Sequence, residues 1–373
     1  MAQRDMAVGC VVLPATSWYQ VPGHVCLRQV SLARHARAVG ALFEVSTVDY
    51  HCGGEPFRIV SDGVGPLSGA TILEKRRYAA ERLDGIRRLL VNEPRGHADM
   101  YGCFVTEPDD EDADLGVVFF HNEGYSTACG HGTIALVTWA LESGRIAIVE
   151  PETRVVVDVP SGRLACVARC EERRVLSVRF RNVPSFVLAR DLTVETTRGP
   201  LTLDVAYGGA FYATLDAPAA GLILEQGSLS ELIALQRELR PAIEAAVEVI
   251  HPLEPELRGI YGVIFFQAEA GGPLLAQRNV AVFADGEVDR SPCGSGTSAR
   301  LAVLHDRGEL SIGDELRHLS IVGSEFRGRI VASAEVAGRP AVITEIEGAA
   351  HLTGYHRFVL DDRDPLGTGF LLR

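Results

Sequence analysis

CGHGTIALVTWALESG, residues 129–144, returns later in the chain as CGSGTSARLAVLHDRG, residues 293–308. The two stretches align without a gap and agree at Cys, Gly, Gly, Thr, Ala and the closing Gly. Each begins in a glycine-rich turn, and the glycines at 144 and 308 are typical of helix ends. The repeat predicts two helices of similar length that begin at Cys129 and Cys293.

The sequence around these helices repeats as well. GVVFF at 116–120 and GVIFF at 262–266 predict buried strands, because apolar β-formers run together there. In the second copy, NVAVFAD (279–285) predicts a strand and GEVDRSPCGSG (286–296) a turn. We therefore predict an α/β (α+β) fold made of a duplicated unit, with strands wrapped around one central helix in each copy.

Four further segments have clear patterns. Residues 43–50 and 57–60 predict strands, and the stretch from 194 to 217 is β-rich. Residues 70–94 have apolar residues at helical spacing and predict one helix that ends before Pro94. Residues 229–251 predict an amphipathic helix.

The composition limits the class of protein. The chain has 373 residues, of which 47% are hydrophobic and 23% charged, as expected for a soluble globular protein of two domains. The net charge of −13 argues against a nucleic-acid or anionic-membrane partner. No apolar run reaches the roughly 20 residues that span a bilayer.

The eight cysteines are too sparse for a disulfide scaffold, and their spacing shows no paired CxxC zinc pattern. We predict reduced thiols in a cytoplasmic protein, with no metal. Residues 1–43 carry one acidic residue and four arginines, and we predict a loose N-terminal extension to which no function is assigned.

A cysteine at a helix start lies among unpaired amides and at the positive end of the helix dipole. Both features favour the thiolate and are expected to lower the thiol pKa. The glycines after each cysteine leave backbone amides bare, and bare amides at a helix N-terminus bind carboxylates. Two such helices meeting tip to tip would hold one carboxylate, with a sulfur on each face of the adjacent carbon.

This arrangement suits the removal of a proton from one face of an amino acid's α-carbon and the return of a proton on the other face. One cysteine would be a thiolate and the other a thiol. His131 and Asp289, close to the two cysteines in sequence, are candidates to contact the substrate nitrogen. No pyridoxal or nucleotide site is indicated, so hydrogen bonds and dipoles would stabilise the carbanion without a cofactor.

Two other classes of function fit some of these residues. A cysteine hydrolase would use Cys129 with His131, but it leaves Cys293 unexplained. A non-catalytic amino-acid-binding protein would use the glycine-rich amides and leave both thiols idle. Substitution of Cys293 separates a hydrolase from a two-base enzyme, and alkylation of the thiols separates a catalyst from a binding protein.

NEGYSTACGHGTIAL and DRSPCGSGTSA resemble the two signature motifs of the proline racemase superfamily, whose fold is that of diaminopimelate epimerase. GGEPFRIV, EPRGHADMYG, DVAYGGAFYA and DPLGTGFLLR extend the resemblance over residues 44 to the end. It implies two pseudo-symmetric domains, each a strand-rich barrel around a central helix, with the active site between them. We expect domains at 44–186 and 187–354, with 355–373 packing back on the first, and a homodimer.

The resemblance also implies roles for particular residues. Cys129 and Cys293 would be the paired acid and base, and Asp289 with His131 would contact the ring nitrogen of a proline-like imino acid. The substrate carboxylate would bind the backbone amides of Gly130, His131, Gly294 and Ser295. The substrate ring would be lined by Tyr101 and Phe283.

The resemblance leaves the reaction open. Racemases and hydroxyproline 2-epimerases keep both cysteines, whereas trans-3-hydroxy-L-proline dehydratases usually have threonine at the second position. Other stretches, among them HNEGYST and DPLGTGFLLR, are closer to the dehydratases, and Cys52 replaces the family's usual threonine. Because Cys293 supplies a second proton donor, racemisation or 2-epimerisation is the first hypothesis. Dehydration, or an enzyme with both activities, is the alternative.

Overall fold

A computed structural model describes residues 43–270 and 274–372 of the chain. The predicted extension at 1–43 lies outside the described residues except for Phe43, the first residue of the first strand. The helices are α1 (Ile72–Arg82), α2 (Asp84–Val91), α3 (Gly130–Glu142), α4 (Leu229–Ala246) and α5 (Gly294–Asp306). The strands are β1 (Phe43–Cys52), β2 (Glu55–Asp62), β3 (Tyr101–Thr106), β4 (Leu115–His121), β5 (Glu152–Val159), β6 (Gly162–Glu171), β7 (Arg174–Arg181), β8 (Phe186–Thr196), β9 (Gly199–Tyr207), β10 (Phe211–Asp216), β11 (Ile260–Ala268), β12 (Leu275–Phe283), β13 (Glu287–Asp289), β14 (Glu315–Leu319), β15 (Glu325–Val336), β16 (Arg339–Gly348) and β17 (Ala350–Leu360).

All these strands belong to one hydrogen-bonded sheet with two halves of the same plan. The first half-sheet runs β17-β1-β2-β3-β4-β5-β6-β7, and its β2/β3 and β4/β5 pairs are parallel. The second half-sheet runs β8-β9-β10-β11-β12-β14-β15-β16, and its parallel pairs, β10/β11 and β12/β14, come at the same places. The pairing of β7 with β16 joins the halves. The duplicated α/β unit predicted from the sequence is present.

Each half-sheet encloses one central helix. α3 lies between β4 and β5 in the chain, and α5 takes the corresponding place before β14. Both are buried along almost their whole length, from 130 to 141 in α3 and from 294 to 304 in α5. Burial on all sides favours apolar or small residues all round, and both helices consist mostly of such residues. Arg300 in α5 is a buried charged exception, and its Nε donates to Oε1 of Gln277 at 3.0 Å.

Three local predictions were wrong. The helix expected at 229–251 ends at Ala246. The single helix expected at 70–94 is two helices, because the chain leaves helical geometry at Leu83 (φ −117°, ψ 6°). Asp84 and Gly85 follow, and these residues favour a new helix start over continuation. The turn expected at 286–296 contains the short strand β13, which pairs with β12.

The C-terminal strand β17 pairs along its length with β1, from Phe43 opposite Leu360 to Cys52 opposite Ala350. The first half-sheet therefore contains strands from both ends of the described chain. The expected domain limits at 186/187 and 354/355 fall inside β8 and β17, and the division itself stays a prediction. In the described residues, no helix combines the length and apolar character needed to cross a membrane.

Candidate active site

The N-termini of α3 and α5 touch each other. A Cβ atom added to Gly130 would lie 2.5 Å from the Cα atom of Gly294, and one added to Gly294 would lie 2.7 Å from that of Gly130. Only glycine permits this approach, since real Cβ contacts are longer. The first glycine in each Cys-Gly-x-Gly repeat therefore allows the two central helices to meet tip to tip.

The second glycine of each repeat makes room for sulfur. A Cβ atom at Gly132 would lie 2.6 Å from Sγ of Cys129, and one at Gly296 would lie 2.9 Å from Sγ of Cys293. The Gly132 amide also donates a hydrogen bond of 3.3 Å to Sγ of Cys129. Each thiol therefore folds back over the first turn of its own helix.

Both cysteines are N-caps, as predicted, but their backbones differ. Cys129 is extended (φ −152°), whereas Cys293 has φ +63°. A positive φ in a non-glycine residue costs on the order of 1–3 kcal/mol and persists when its surroundings hold it. The hydrogen bond from the Cys293 amide to Oγ of Ser291, 3.1 Å, is one such restraint.

A small cavity of about 10 Å³ lies where the two helices meet. That is roughly the space of one water molecule, so the walls must separate to admit an amino acid. All nine residues expected at the site line this cavity, together with three that the sequence analysis missed. The lining is Tyr101, Ala128, Cys129, Gly130, His131, Tyr212, Tyr261, Phe283, Asp289, Cys293, Gly294 and Ser295.

The two thiols are buried, with exposed fractions of 5% for Cys129 and 6% for Cys293. Burial raises the pKa of both, because a thiolate in this site loses its water. The amides of Gly132 and Gly296 act in the opposite direction. The helix dipole was expected to lower the thiol pKa. This prediction was wrong, because it did not include the effect of burial.

Like charges further restrict ionisation of the thiols. Asp289 raises the pKa of both cysteines, and a Cys293 thiolate raises the pKa of Cys129. Two thiolates in one buried cavity would repel strongly, so the pair carries at most one negative charge. A singly ionised pair has one base and one acid, which is the state that two-base proton transfer requires.

Asp289 and His131 form the polar side of the cavity. Oδ2 of Asp289 lies 3.9 Å from Nδ1 of His131, and Oδ1 accepts the amide of Ser291 at 2.8 Å. Burial raises the pKa of Asp289 to about 6, and burial together with Arg290 lowers the pKa of His131 to about 3. A neutral imidazole and a carboxylate can therefore face a cationic secondary amine at neutral pH.

Aromatic rings form the opposite wall. Tyr261 stacks on Phe283 with ring centroids 5.3 Å apart, and its hydroxyl lies 2.9 Å from that of Tyr101. The Tyr101 hydroxyl also donates to Oγ of Ser126. Tyr101 and Phe283 were expected from the family resemblance. Tyr261 was missed, although the YG pair at 101–102 recurs at 261–262 and could have marked it.

Tyr212 was missed as well. Its hydroxyl lies 2.8 Å from Oγ of Ser295 and 3.7 Å from Sγ of Cys293. The motif DVAYGGAFYA, which contributes to the family resemblance, contains this tyrosine. A strand residue after a Gly-Gly turn was not distinguishable from a core aromatic without its long-range contacts.

Cys52 is fully buried at the end of β1 and is not among the residues that line the cavity. Burial, and next the neighbouring Asp289, raise the pKa of its thiol. Glu55, also fully buried, accepts the amide of Arg290 at 2.7 Å. Both groups interact electrostatically with Asp289. In the described residues, no cluster of His, Cys, Asp or Glu is arranged to hold a metal ion.

Comparison with known proteins places this site in context. The proline racemase family model matches residues 47–371. The chain is 48% identical over 330 residues to a 3-hydroxyproline 2-epimerase of Burkholderia multivorans, covering 88% of this chain and 98% of that protein. A trans-3-hydroxy-L-proline dehydratase of Azospirillum brasilense matches with the same identity and coverage. The crystal structure of a hydroxyproline epimerase from Agrobacterium vitis with bound trans-4-hydroxy-L-proline aligns with a TM-score of 0.83 at 35% identity, over 88% of this chain and 96% of that one.

Proposed function

Because the chain belongs to the proline racemase family, we propose that it is a cofactor-independent racemase or 2-epimerase of proline or a hydroxyproline, with Cys129 and Cys293 as its acid–base pair. The observation that carries this proposal is the contact between the N-termini of α3 and α5. It brings two N-capping cysteines to one cavity. A homodimer and a cytoplasmic location stay predictions from the family resemblance and the composition.

The substrate would bind through its two charged groups. Its carboxylate would accept hydrogen bonds from the amides of Gly130, His131, Gly294 and Ser295, since the first amides of a helix have no acceptor within the helix. Its secondary ammonium would face the Asp289 carboxylate, with His131 beside it. The ring would lie against Tyr101 and Phe283.

The reaction then needs one proton transfer on each face of the α-carbon. The thiolate of one cysteine removes the α-proton, and the electron pair is left on the carbanion. Amides at two helix N-termini stabilise the negative charge that spreads onto the carboxylate. The thiol of the other cysteine donates its proton to the opposite face, which inverts the centre and leaves that sulfur as the new thiolate.

Dehydration of trans-3-hydroxy-L-proline is the second candidate, because a relative of that name is as similar as the epimerase. In this reaction one thiolate removes the α-proton, and the electron pair forms the C2–C3 double bond as the 3-hydroxyl leaves with a proton as water. The resulting enamine tautomerises to a cyclic imine. This path requires a single base, so Cys293 would be dispensable, and one enzyme can have both activities.

Proton NMR in D₂O with L-proline, trans-4-hydroxy-L-proline and trans-3-hydroxy-L-proline in separate samples tests the proposal. We expect loss of the α-proton signal and growth of the opposite stereoisomer with proline or a hydroxyproline. Formation of only a dehydrated product from the third substrate would overturn it in favour of the second candidate.

Substitution of one thiol separates the two mechanisms further. Cys293→Ser should abolish inversion while Cys129 still exchanges the α-proton of one stereoisomer, whereas a dehydratase should retain its activity. Cys170→Ser is the matched control, since Cys170 lies in β6 outside the cavity and its Sγ contacts Oγ1 of Thr153 at 3.7 Å. A Cys293→Ser enzyme that still inverts its substrate would exclude the two-base mechanism.

A further inference from the structure

The two thiols have different neighbours although their helices are copies of one design. In the first half-sheet, the ring of Phe57 packs on the first turn of α3 and lies edge-on to His131, with ring centroids 5.7 Å apart. In the second half-sheet, the ring of Tyr212 faces the first turn of α5. Phe57 and Tyr212 correspond when the chain is aligned from its Gly-Gly pairs at 53–54 and 208–209.

Tyr212 has a hydroxyl group that Phe57 lacks, and this hydroxyl lies within reach of the sulfur of Cys293. The Tyr212 hydroxyl lies 3.7 Å from Sγ of Cys293, and Oγ of Ser295 lies 2.8 Å from the same hydroxyl and 4.0 Å from the sulfur. When Cys293 is a thiol, its S–H donates to the phenol oxygen. When it is a thiolate, the phenol O–H donates to sulfur, with the Ser295 hydroxyl donating to Tyr212 in turn, and such charge-assisted bonds are the stronger ones.

Among the described residues, Cys129 has a different set of donors, with a capping amide bond that the Cys293 side chain lacks but without a hydroxyl group. In the part of the chain that the structure describes, its Sγ contacts the Gly132 amide and the His131 ring but no hydroxyl group. The sulfur is 3.6 Å from Nδ1 and 3.4 Å from Nε2 of His131. A position almost equidistant from both nitrogens lies off the direction of either N–H bond, so the imidazole is a weak donor to this thiolate.

We propose that Tyr212, with Ser295, is a positioning residue that makes Cys293 ionise before Cys129, so that Cys293 is the base and Cys129 the acid when the pair carries one negative charge. The charged groups around the pair act on both thiols. Asp289 opposes ionisation of both cysteines and is hydrogen-bonded with the side chain of Cys293, whereas Glu55 opposes ionisation of Cys129. The inference rests on the proposed acid–base role of the thiols. It implies that the enzyme with Cys293 ionised reacts with the substrate stereoisomer whose α-proton faces Cys293.

Alkylation by limiting iodoacetamide, with the labelled cysteine identified by peptide mass spectrometry, tests the inference. The reagent reacts with thiolates, forming a thioether and releasing iodide. We expect Cys293 to be labelled faster than Cys129 in the unsubstituted protein. In Tyr212→Phe, labelling of Cys293 at fixed pH should fall about tenfold and its pH midpoint should rise by about one unit, with Cys129 unaffected or faster.

Tyr261→Phe is the matched control, because it removes another hydroxyl of the same cavity, one that bonds to Tyr101. This variant should keep the labelling ratio of the unsubstituted protein. Faster labelling of Cys129 in the unsubstituted protein, or an unchanged Cys293 profile in Tyr212→Phe, would overturn the inference. If neither thiol is alkylated, the ionisation of Cys293 is followed by the ultraviolet absorbance of its thiolate in Cys129→Ser and in Cys129→Ser combined with Tyr212→Phe. A pH midpoint that Tyr212→Phe does not raise would overturn the inference.

The labelling result is independent of turnover. Inversion of hydroxyproline together with preferential labelling of Cys129 would leave the proposed function standing and refute the role of Tyr212. Preferential labelling of Cys293 without inversion of any substrate would refute the proposed function and leave the effect of Tyr212 on Cys293 standing.

Discussion

Gly130→Ala tests whether the contact between the two central helices determines activity. The new Cβ atom would lie 2.5 Å from the Cα atom of Gly294, where carbon atoms at optimal contact are about 3.5–4.0 Å apart. The tips of α3 and α5 must therefore separate by about 1–1.5 Å. Both the amides proposed to bind the substrate carboxylate and the two sulfurs move with them.

The expected effects differ in size for stability and for activity. Overpacking of this kind costs about 1–3 kcal/mol of unfolding free energy. A misplacement of about 1 Å at a reacting centre costs on the order of 100-fold in rate. We therefore expect a folded protein in which α-proton exchange in D₂O, followed by NMR, is about 100-fold slower, while urea unfolding shows a modest loss of stability.

Gly85→Ala is the control for the substitution itself. Gly85 lies within α2, and a Cβ atom there would meet nothing within 4 Å. Because alanine favours the helix, this variant should be about 0.5–1 kcal/mol more stable and fully active. A Gly130→Ala protein that exchanges substrate at the rate of the unsubstituted protein would refute the argument that helix contact sets the spacing of the catalytic groups.

Substitutions at three further positions have expected outcomes. Gly132→Ala places a Cβ atom 2.4 Å from Cε2 of Phe57 and 2.6 Å from Sγ of Cys129, so both side chains must move and the inversion rate should fall at least about tenfold; an unchanged kcat would contradict this. In the substrate-free protein the pKa of Asp289 is raised to about 6, so kcat/KM should decline as pH falls below that value, and Asp289→Asn should raise KM and remove the decline. Because the pKa of Asp289 is raised in the folded protein, its ionisation favours the unfolded state. In urea titrations, the free energy of unfolding of Asp289→Asn should therefore increase relative to that of the unsubstituted protein as pH rises from about 4 to 6. A difference that does not change with pH would contradict this. Arg58→Ala should cost about 3–5 kcal/mol in urea unfolding, because it leaves the buried carboxylate of Asp49 without the guanidinium 2.7 Å away; Asp49→Asn combined with it should recover part of that loss.

The sequence predicted the parts of the site that depend on local pattern. Two copies of Cys-Gly-x-Gly were sufficient to predict two helices capped by cysteine, because caps and glycine positions are local properties. The division of 70–94 into two helices depends on the helix propensities of Asp84 and Gly85 relative to those of their neighbours. The periodicity of the apolar residues does not show this difference. The local pattern also gave no reason to expect the thiols to be buried.

The remaining differences come from contacts distant in sequence. Tyr212 and Cys293 are 81 residues apart in the chain, and Tyr101 and Tyr261 are 160 apart. Their hydroxyl contacts exist only after the two half-sheets have formed around their helices. The raised pKa of each thiol has the same origin, because desolvation is set by the whole enclosure and the helix dipole by a few neighbouring residues.

The pairing of β17 with β1 constrains how the protein can fold during synthesis. Strands that must hydrogen-bond along their full length leave the ribosome about 300 residues apart. At roughly 5–20 residues per second, β1 waits on the order of 15–60 s for its partner. The second half-sheet has all its strands between β8 and β16 and can close in that interval, while the edge of β1 that will pair with β17 keeps its backbone groups unpaired and open to chaperones or to wrong pairing. Completion of the first half-sheet therefore has to wait for the synthesis of β17, and truncation before Ala350 should leave a chain with one closed half-sheet and one open edge.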